Sequence, residues 1–304
     1  MHTNNVKLGH RSKQSYANTR TTGKEQYYTK RDVVDLCIAE VERFVDLSTR
    51  VIIEPCGGTG EFIEGFLRAG IGEEKIISYD IDPAHRMVMK GDYLKQDLSH
   101  LKGAVSITNP PFGRASSLAK KFFNRDAQYC DYICYLIPRS WRKWTVHNSL
   151  DSGFRLLSDI ELPKNCFYLP DGSEKPKDVL NTIFQVWSRS SKHRQKIKIP
   201  DNGLIKKILP EVDKDGNKVV KGANFSIIAF GHSCGKCTEI TEETVPYKTT
   251  TMYLNVPDLK TRHALQCANL SKFYNNVAYV QALSIQEINY ELNRIFELPN
   301  YQFE

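Results

Sequence analysis

Asn109-Pro110-Pro111-Phe112 carries the most specific chemistry in this sequence. Two successive prolines fix φ twice and remove two backbone donors, so the turn presents carbonyls that helices and sheets cannot use. The Asn109 side chain and the Pro110 carbonyl can both accept hydrogen bonds from one planar NH₂ group, and the Phe112 ring offers a stacking face. A second cluster precedes it. Glu54-Pro55-Cys56-Gly57-Gly58-Thr59-Gly60 sets an acid ahead of glycines that let a ligand approach the backbone. A phosphate grip would want Lys and Ser/Thr after the glycines, where Glu61-Phe62 stand; a dinucleotide loop would want a third glycine, where Ile63 stands. Asp80 follows the last glycine by about 20 residues, the place where such folds hold a ribose diol. An acid by the glycines and an acid on a ribose suit a nucleoside with a positively charged amino-acid part. S-adenosylmethionine is such a ligand. The plainer readings are a glycine turn without a ligand, an Asp80-x-Asp82-Pro83 surface turn, and a rigid turn with a packed Phe112.

These residues need elements to hold them. Val51-Ile52-Ile53 reads as a strand running into the glycine turn, and Phe62, Ile63, Phe66 and Leu67 follow at helical spacing. Ile76–Tyr79 is a strand ending in Asp80; Pro83–Met89 is a possible helix, Ala104–Thr108 a strand ending in Asn109, and Leu118–Phe123 a helix. Tyr132–Ile137 is a strand running into Pro138-Arg139. Upstream, Val34, Cys37/Ile38, Val41 and Phe44/Val45 predict a helix opened by Thr29, with Asp32 as its capping partner. Near-continuous apolar strands alternating with helices predict an α/β fold, a doubly wound parallel sheet of Rossmann-like type. Asn165–Leu169 and Thr182–Trp187, flanking the turn-rich Pro170-Asp171-Gly172, are expected to close it as an antiparallel pair. Beyond about Ser188 the periodicity weakens. The expected organisation is a basic flexible arm over 1–25, a catalytic domain over 26–190 and a smaller C-terminal α+β domain over 191–304.

The chain has 304 residues, 40% hydrophobic and 25% charged, enough to bury a core. No stretch approaches the ~20 apolar residues of a membrane span, and the N-terminus has no apolar region of the secretory kind, so a membrane partner and export are not expected. Its eight irregularly spaced cysteines read as cytosolic thiols, which makes a cytoplasmic location the expectation. The formal net charge is +7, from 42 Lys+Arg against 35 Asp+Glu. The first 31 residues hold Lys7, Arg11, Lys13, Arg20, Lys24, Lys30 and Arg31 against Glu25 alone, and a second basic run covers Lys192–Lys198. Both suit a polyanion, or simply a solvated tail and linker.

Taken together, the motifs resemble those of the amino-methyltransferases, and within them the adenine-N6 DNA methyltransferases carrying (Asp/Asn/Ser)-Pro-Pro-(Tyr/Phe). The resemblance covers residues 24–190. Glu54-Pro55-x-x-Gly58-x-Gly60-x-Phe62 resembles the first cofactor motif, and Asp92 in Gly91-Asp92-Tyr93 the third. Gln26-Tyr27-Tyr28-Thr29 resembles the N-terminal motif (Phe/Tyr)-x-Thr-Pro, with Lys30 in place of the proline. The resemblance implies S-adenosylmethionine as cofactor, held by Tyr28, Thr29, Glu54, Gly58, Gly60, Phe62, Asp80 and Asp92. It further implies Asn109, Pro110, Pro111 and Phe112 as the catalytic turn, a flipped adenine in duplex DNA as substrate, and 191–304 as a target-recognition domain. Adenine in RNA, a protein glutamine amide, or a catalytically silent nucleic-acid binding module are the alternatives. Restriction, phage modification and regulatory marking are all roles that such chemistry serves.

Two further segments could contribute. Arg139, Trp141, Arg142 and Lys143 interleave basic and aromatic residues at the end of a strand, as a nucleic-acid grip does, or else begin a helix whose tryptophans are core. Cys234-x-x-Cys237 with His232 is half of a zinc spacing that His263 and Cys267 do not complete, so no metal is expected.

Overall fold

The computed structural model describes residues 27–113, 116–168, 173 and 180–303. The basic arm over 1–25, Gln26 and the Pro170-Asp171-Gly172 turn lie outside the described residues. Period-two alternation divides the central strands between two cores. Ile52 of β2 (Ile52–Glu54) and Cys134 of β6 (Cys130–Pro138) enter a cluster with Val34, Ile38, Phe62 and Phe66. Their neighbours Ile53 and Ile133 enter a cluster on the other side with Tyr93, Phe123, Trp141 and Trp187. Strands covered on both faces read as continuous apolar runs, which is why they were legible.

Seven strands form the main sheet. They are β2, β3 (Ile76–Asp80), β4 (Val88–Lys90), β5 (Ala104–Thr108), β6, β7 (Phe154–Glu161) and β9 (Thr182–Arg189), in the spatial order β4-β3-β2-β5-β6-β9-β7. Strands β2 to β6 are parallel, and β9 runs antiparallel to both β6 and β7. The α/β doubly wound architecture is therefore present, and the order reverses between β2 and β5. In such sheets ligands bind beyond the carboxyl ends at that reversal. Helix α1 (Arg31–Glu42) and helix α2 (Glu61–Arg68) bury Val34, Ile38, Phe62 and Phe66 in the first core, and α3 (Ser117–Asp126) buries Phe122 and Phe123 in the second.

Three expectations change. The closing pair is β7 with β9, while β8 (Phe167–Tyr168) pairs antiparallel with β1 (Tyr28–Thr29). A register shift between Leu156 and Ser158 breaks the alternation of β7, which hides that strand in the sequence. No helix forms at Pro83–Met89: the segment wraps the glycine turn, with Ala84 N–H donating to Gly58 O (2.9 Å) before β4 begins. Thr29 belongs to β1 rather than capping α1; Lys30 occupies the cap with no side-chain bond.

The C-terminal region holds antiparallel sheets. β11 (Lys206–Ile208), β17 (Thr251–Asn255), β14 (Phe225–Ile228) and β15 (Cys237–Glu239) form one, and β12 (Glu211–Val212), β13 (Lys218–Lys221) and β16 (Thr244–Pro246) another. Helices lie at Trp144–His147 (α4), Leu259–Cys267 (α5), Ser271–Tyr274 (α6) and Ile285–Ile295 (α7). Leu254, Leu265, Ile288 and Leu292 form a separate core. Trp144 of α4 packs against that core, its ring 5.0 Å from Tyr290 and 6.1 Å from Phe273. The loop after α6 is also fastened to the main sheet: Asn181 N–H donates to Ala278 O (2.7 Å) and Arg139 Nη1 to Asn275 O (3.5 Å). The Lys192–Lys198 run is not merely solvated. Arg194 donates to the carbonyls of Phe154, His147, Leu150 and Asp151 and lies over the Trp187 ring. Among the described residues no helix is long and apolar enough to cross a membrane.

Candidate active site

The two loops flanking the reversal are the glycine turn after β2 and the Pro-Pro turn after β5. Gly58 and Gly60 both take positive φ, +48° and +86°. A Cβ at Gly60 would lie 2.4 Å from the His85 ring, so glycine is required there for conformation and for space. The turn is tied to the next strand. Gly58 N–H donates to Asp80 Oδ2 (3.0 Å), and Gly57 N–H to Tyr79 O (2.9 Å). Asp80 Oδ1 accepts from Asp82 N–H (2.8 Å). Asp80 is thus fixed at the carboxyl edge with its aim set by the glycine backbone.

Glu54 ends β2 at 2% exposure, and its carboxylate accepts from Ser78 Oγ (3.2 Å). Burial pushes its carboxyl up to about 8, and Asp80 and Glu61 nearby push the same way against the Ser78 bond. Asp92 caps the short turn Tyr93–Lys95, accepting from Leu94 N–H (3.1 Å) and pairing with Lys95 Nζ (3.3 Å). Phe62 is core, packed beside Phe66 on α2, so its contribution is to seat the helix.

On the facing loop, Asn109 Nδ2 donates to Tyr27 O (3.1 Å) and to Thr29 Oγ1 (3.3 Å). Thr29, read as a cofactor contact, is 3% exposed and turned to Asn109. Tyr28 faces the other loop, its ring 3.3 Å from where a Gly58 Cβ would stand. The Pro110 carbonyl accepts no backbone hydrogen bond from a described residue. Phe112 is 8% exposed in the first core, with its carbonyl accepting from Leu118 N–H (3.2 Å) at the start of α3. Little of its ring is open to a stacked base.

The structure places the Arg139–Lys143 segment, read as a nucleic-acid grip, among partners from the chain itself. Trp141 is fully buried beside Phe123 and Tyr135 and offers no face to a base. Arg142 Nε donates to both Asp159 oxygens (2.9 and 3.0 Å), Arg139 and Arg142 share Glu161, and Lys143 pairs with Glu287 (3.0 Å). Every cation of the motif meets a protein carboxylate. In the C-terminal unit, Cys237 Sγ faces the carbonyls of Gly235 and Leu265, and Cys267 Sγ lies 3.7 Å from His263 Nε2.

Motif reading missed several residues around the site. Tyr168 stands opposite Tyr28 across β1–β8 and donates its hydroxyl to Glu61, the first residue of α2. Ser78 lies beneath Glu54. Asp126, fully buried, accepts 2.5 Å hydrogen bonds from Tyr93 and Tyr135, and burial pushes its carboxyl up to about 6. None belongs to a short motif; each is found only through its partner in space.

No protein-family model matches the chain, and no curated protein matches it. Among solved structures it is similar to a proposed RNA methyltransferase from Pyrococcus horikoshii, at 17% identity over 55% of this chain and 88% of that one, TM-score 0.43. It is also similar to the M protein of the type I restriction enzyme EcoKI, at 14% identity over 54% of this chain and 44% of that one, TM-score 0.41. A third is a modification subunit of a proposed type I restriction enzyme from Vibrio vulnificus, at 16% identity over 61% and 50%, TM-score 0.41. The chain thus spans about half the length of the two restriction-enzyme subunits.

Proposed function

We propose that this chain transfers the methyl group of S-adenosylmethionine to the N6 amine of adenine in DNA, with the base turned out of the duplex. One observation carries the reading. Two amine acceptors, Asn109 Oδ1 and Pro110 O, face no described donor, on the loop across the sheet reversal from two acidic side chains fixed at Glu54 and Asp80. The residues present fit the cofactor. The positive-φ glycines bring backbone close to a ligand, Asp80 suits a ribose diol, Glu54 a positively charged amino-acid part, and Asp92 an adenine amine. Bound there, S-adenosylmethionine would supply an electrophilic methyl group on a sulfonium sulfur, its C–S bond breaking as the N–C bond forms so that a neutral thioether leaves and the surplus amine proton passes to solvent.

The chain's own part is geometric and electrostatic. The adenine amine is a poor nucleophile because its lone pair is delocalised into the ring. Asn109 Oδ1 and Pro110 O, one on each N–H, favour a tetrahedral nitrogen whose lone pair is free to attack. They also stabilise the positive charge that develops on it, an interaction strengthened in the transition state. Extruding the base costs a few kcal/mol. The unit over 191–304 is the proposed target-recognition domain.

The test is transfer of tritiated methyl to matched DNA and RNA, alongside calorimetric titration with S-adenosylmethionine. Label in adenine of DNA supports the reading; label confined to RNA replaces the substrate; no cofactor binding sinks it. Asn109→Ala should lower kcat about 10²–10³-fold with cofactor affinity kept.

A further inference from the structure

An asparagine amide can present either end by a half-turn about its terminal torsion, yet only its oxygen can accept from an amine. In this chain the choice is made from behind. Tyr27 O, 3.1 Å from Nδ2, is a carbonyl and can only accept, so the group facing it must be NH₂. The second N–H goes to Thr29 Oγ1 at 3.3 Å. With both donors engaged, Oδ1 is the end left for the crevice. Tyr28 and Thr29 pair antiparallel with Tyr168 and Phe167, and Lys30 N–H donates to Cys166 O (2.8 Å), so strand pairing fixes Thr29 and anchors Tyr27 through the residue beside it.

We infer that β1 is a positioning strand for residue 109: Tyr27 O and Thr29 Oγ1 set the polarity of the Asn109 amide and make an amide, rather than a carboxylate, obligatory at this position. The inference rests on the proposed role of Asn109 as acceptor of the substrate amine. It departs from the interchange of Asp and Asn that the motif tolerates elsewhere. In Asn109→Asp a carboxylate oxygen would meet the Tyr27 carbonyl where a donor now stands, and two acceptors at hydrogen-bond distance repel. Thr29 is in this account a positioning residue, acting through Asn109.

Thr29→Val keeps the shape and removes the acceptor; Thr29→Ser keeps the acceptor. In the full chain, Thr29→Val should lower kcat about tenfold, the effect of one neutral hydrogen bond, with cofactor affinity and KM unchanged. Thr29→Ser should restore kcat, and Asn109→Asp should lower it about tenfold or more. In ¹⁵N-edited NMR, the Asn109 side-chain NH₂ pair, identified by its loss in Asn109→Ala, should move in Thr29→Val and return in Thr29→Ser. Full activity of Asn109→Asp, or an unmoved NH₂ pair in Thr29→Val, overturns the inference. So does a loss in Thr29→Val that appears wholly in cofactor affinity. If no substrate is methylated at all, the proposed function fails while the NH₂ pair still decides the positioning.

Discussion

Two adjacent parallel strands, β5 and β6, deliver loops to the same edge of the sheet, and the loops have opposite fates. The one at Asn109–Phe112 keeps acceptors that no described residue engages; the one at Arg139–Lys143 has its cations met by Asp159, Glu161 and Glu287 and its tryptophan fully enclosed. Both contain residue types that suit a nucleic-acid enzyme. What separates them is the accounting of partners. A charged group met by protein carboxylates is engaged in the fold, whereas a loop acceptor that faces no described donor can take one from a ligand. Composition cannot tell these apart, because Asp159, Glu161 and Glu287 lie 17, 19–22 and more than 100 positions away.

The contrast can be broken from either side. The largest stability effect is expected on the architectural loop: Trp141→Ala removes a fully buried ring from among Phe123 and Tyr135 and should cost about 3–5 kcal/mol in urea unfolding. Nucleic-acid affinity of the protein that stays folded should not change; a weakened, less salt-dependent affinity would return the segment to the binding surface. Arg142→Ala leaves Asp159 to Gln185 Nε2 and Glu161 to Arg139 and should cost about 1–3 kcal/mol, again with the salt slope of nucleic-acid binding intact.

Glu54 sharpens the comparison through pH. Its folded value is about 8 against an ordinary 4.5, so between these the folded chain holds a proton that the unfolded chain has lost. Stability therefore falls as pH rises through the window, by about 1.4 kcal/mol per pH unit for one proton. Asp126 adds a slope of the same sign only up to about 6. Glu54→Gln should flatten the unfolding midpoint between about pH 6 and 8; an unchanged slope would mean the carboxyl is not desolvated as described. The smallest effect belongs to Lys30→Pro. Lys30 already has φ −64°, which proline suits, and loss of its N–H bond to Cys166 O should cost about 1 kcal/mol.

The parallel strands and the glycine turn were legible because their signals are local: apolar runs buried on both faces and residues demanded by backbone conformation. Of the expected closing pair, Thr182–Trp187 is present within β9, while its partner β7 escapes notice because the bulge at Leu156–Ser158 erases its alternation. Pro83–Met89 carries a helical pattern that tertiary contacts override, with Ala84 held by Gly58 and His85 filling the space at Gly60. In the site, the glycines, acids and Pro-Pro turn announce themselves by type. The Tyr27–Thr29 acceptors do not, being a backbone oxygen and a common hydroxyl about 80 positions from Asn109. Trp141 shows the converse, since an aromatic beside arginines looks the same in sequence whether it faces solvent or core.

The attachment of the loop after α6 has one more consequence. Ala278, whose carbonyl is gripped by Asn181, packs on the same core that encloses Phe112. That short stretch and the ring of the Pro-Pro turn therefore share one body of packed side chains. The C-terminal unit thus meets the main-sheet unit at the first core here, as well as through Trp144 and the Lys143–Glu287 pair.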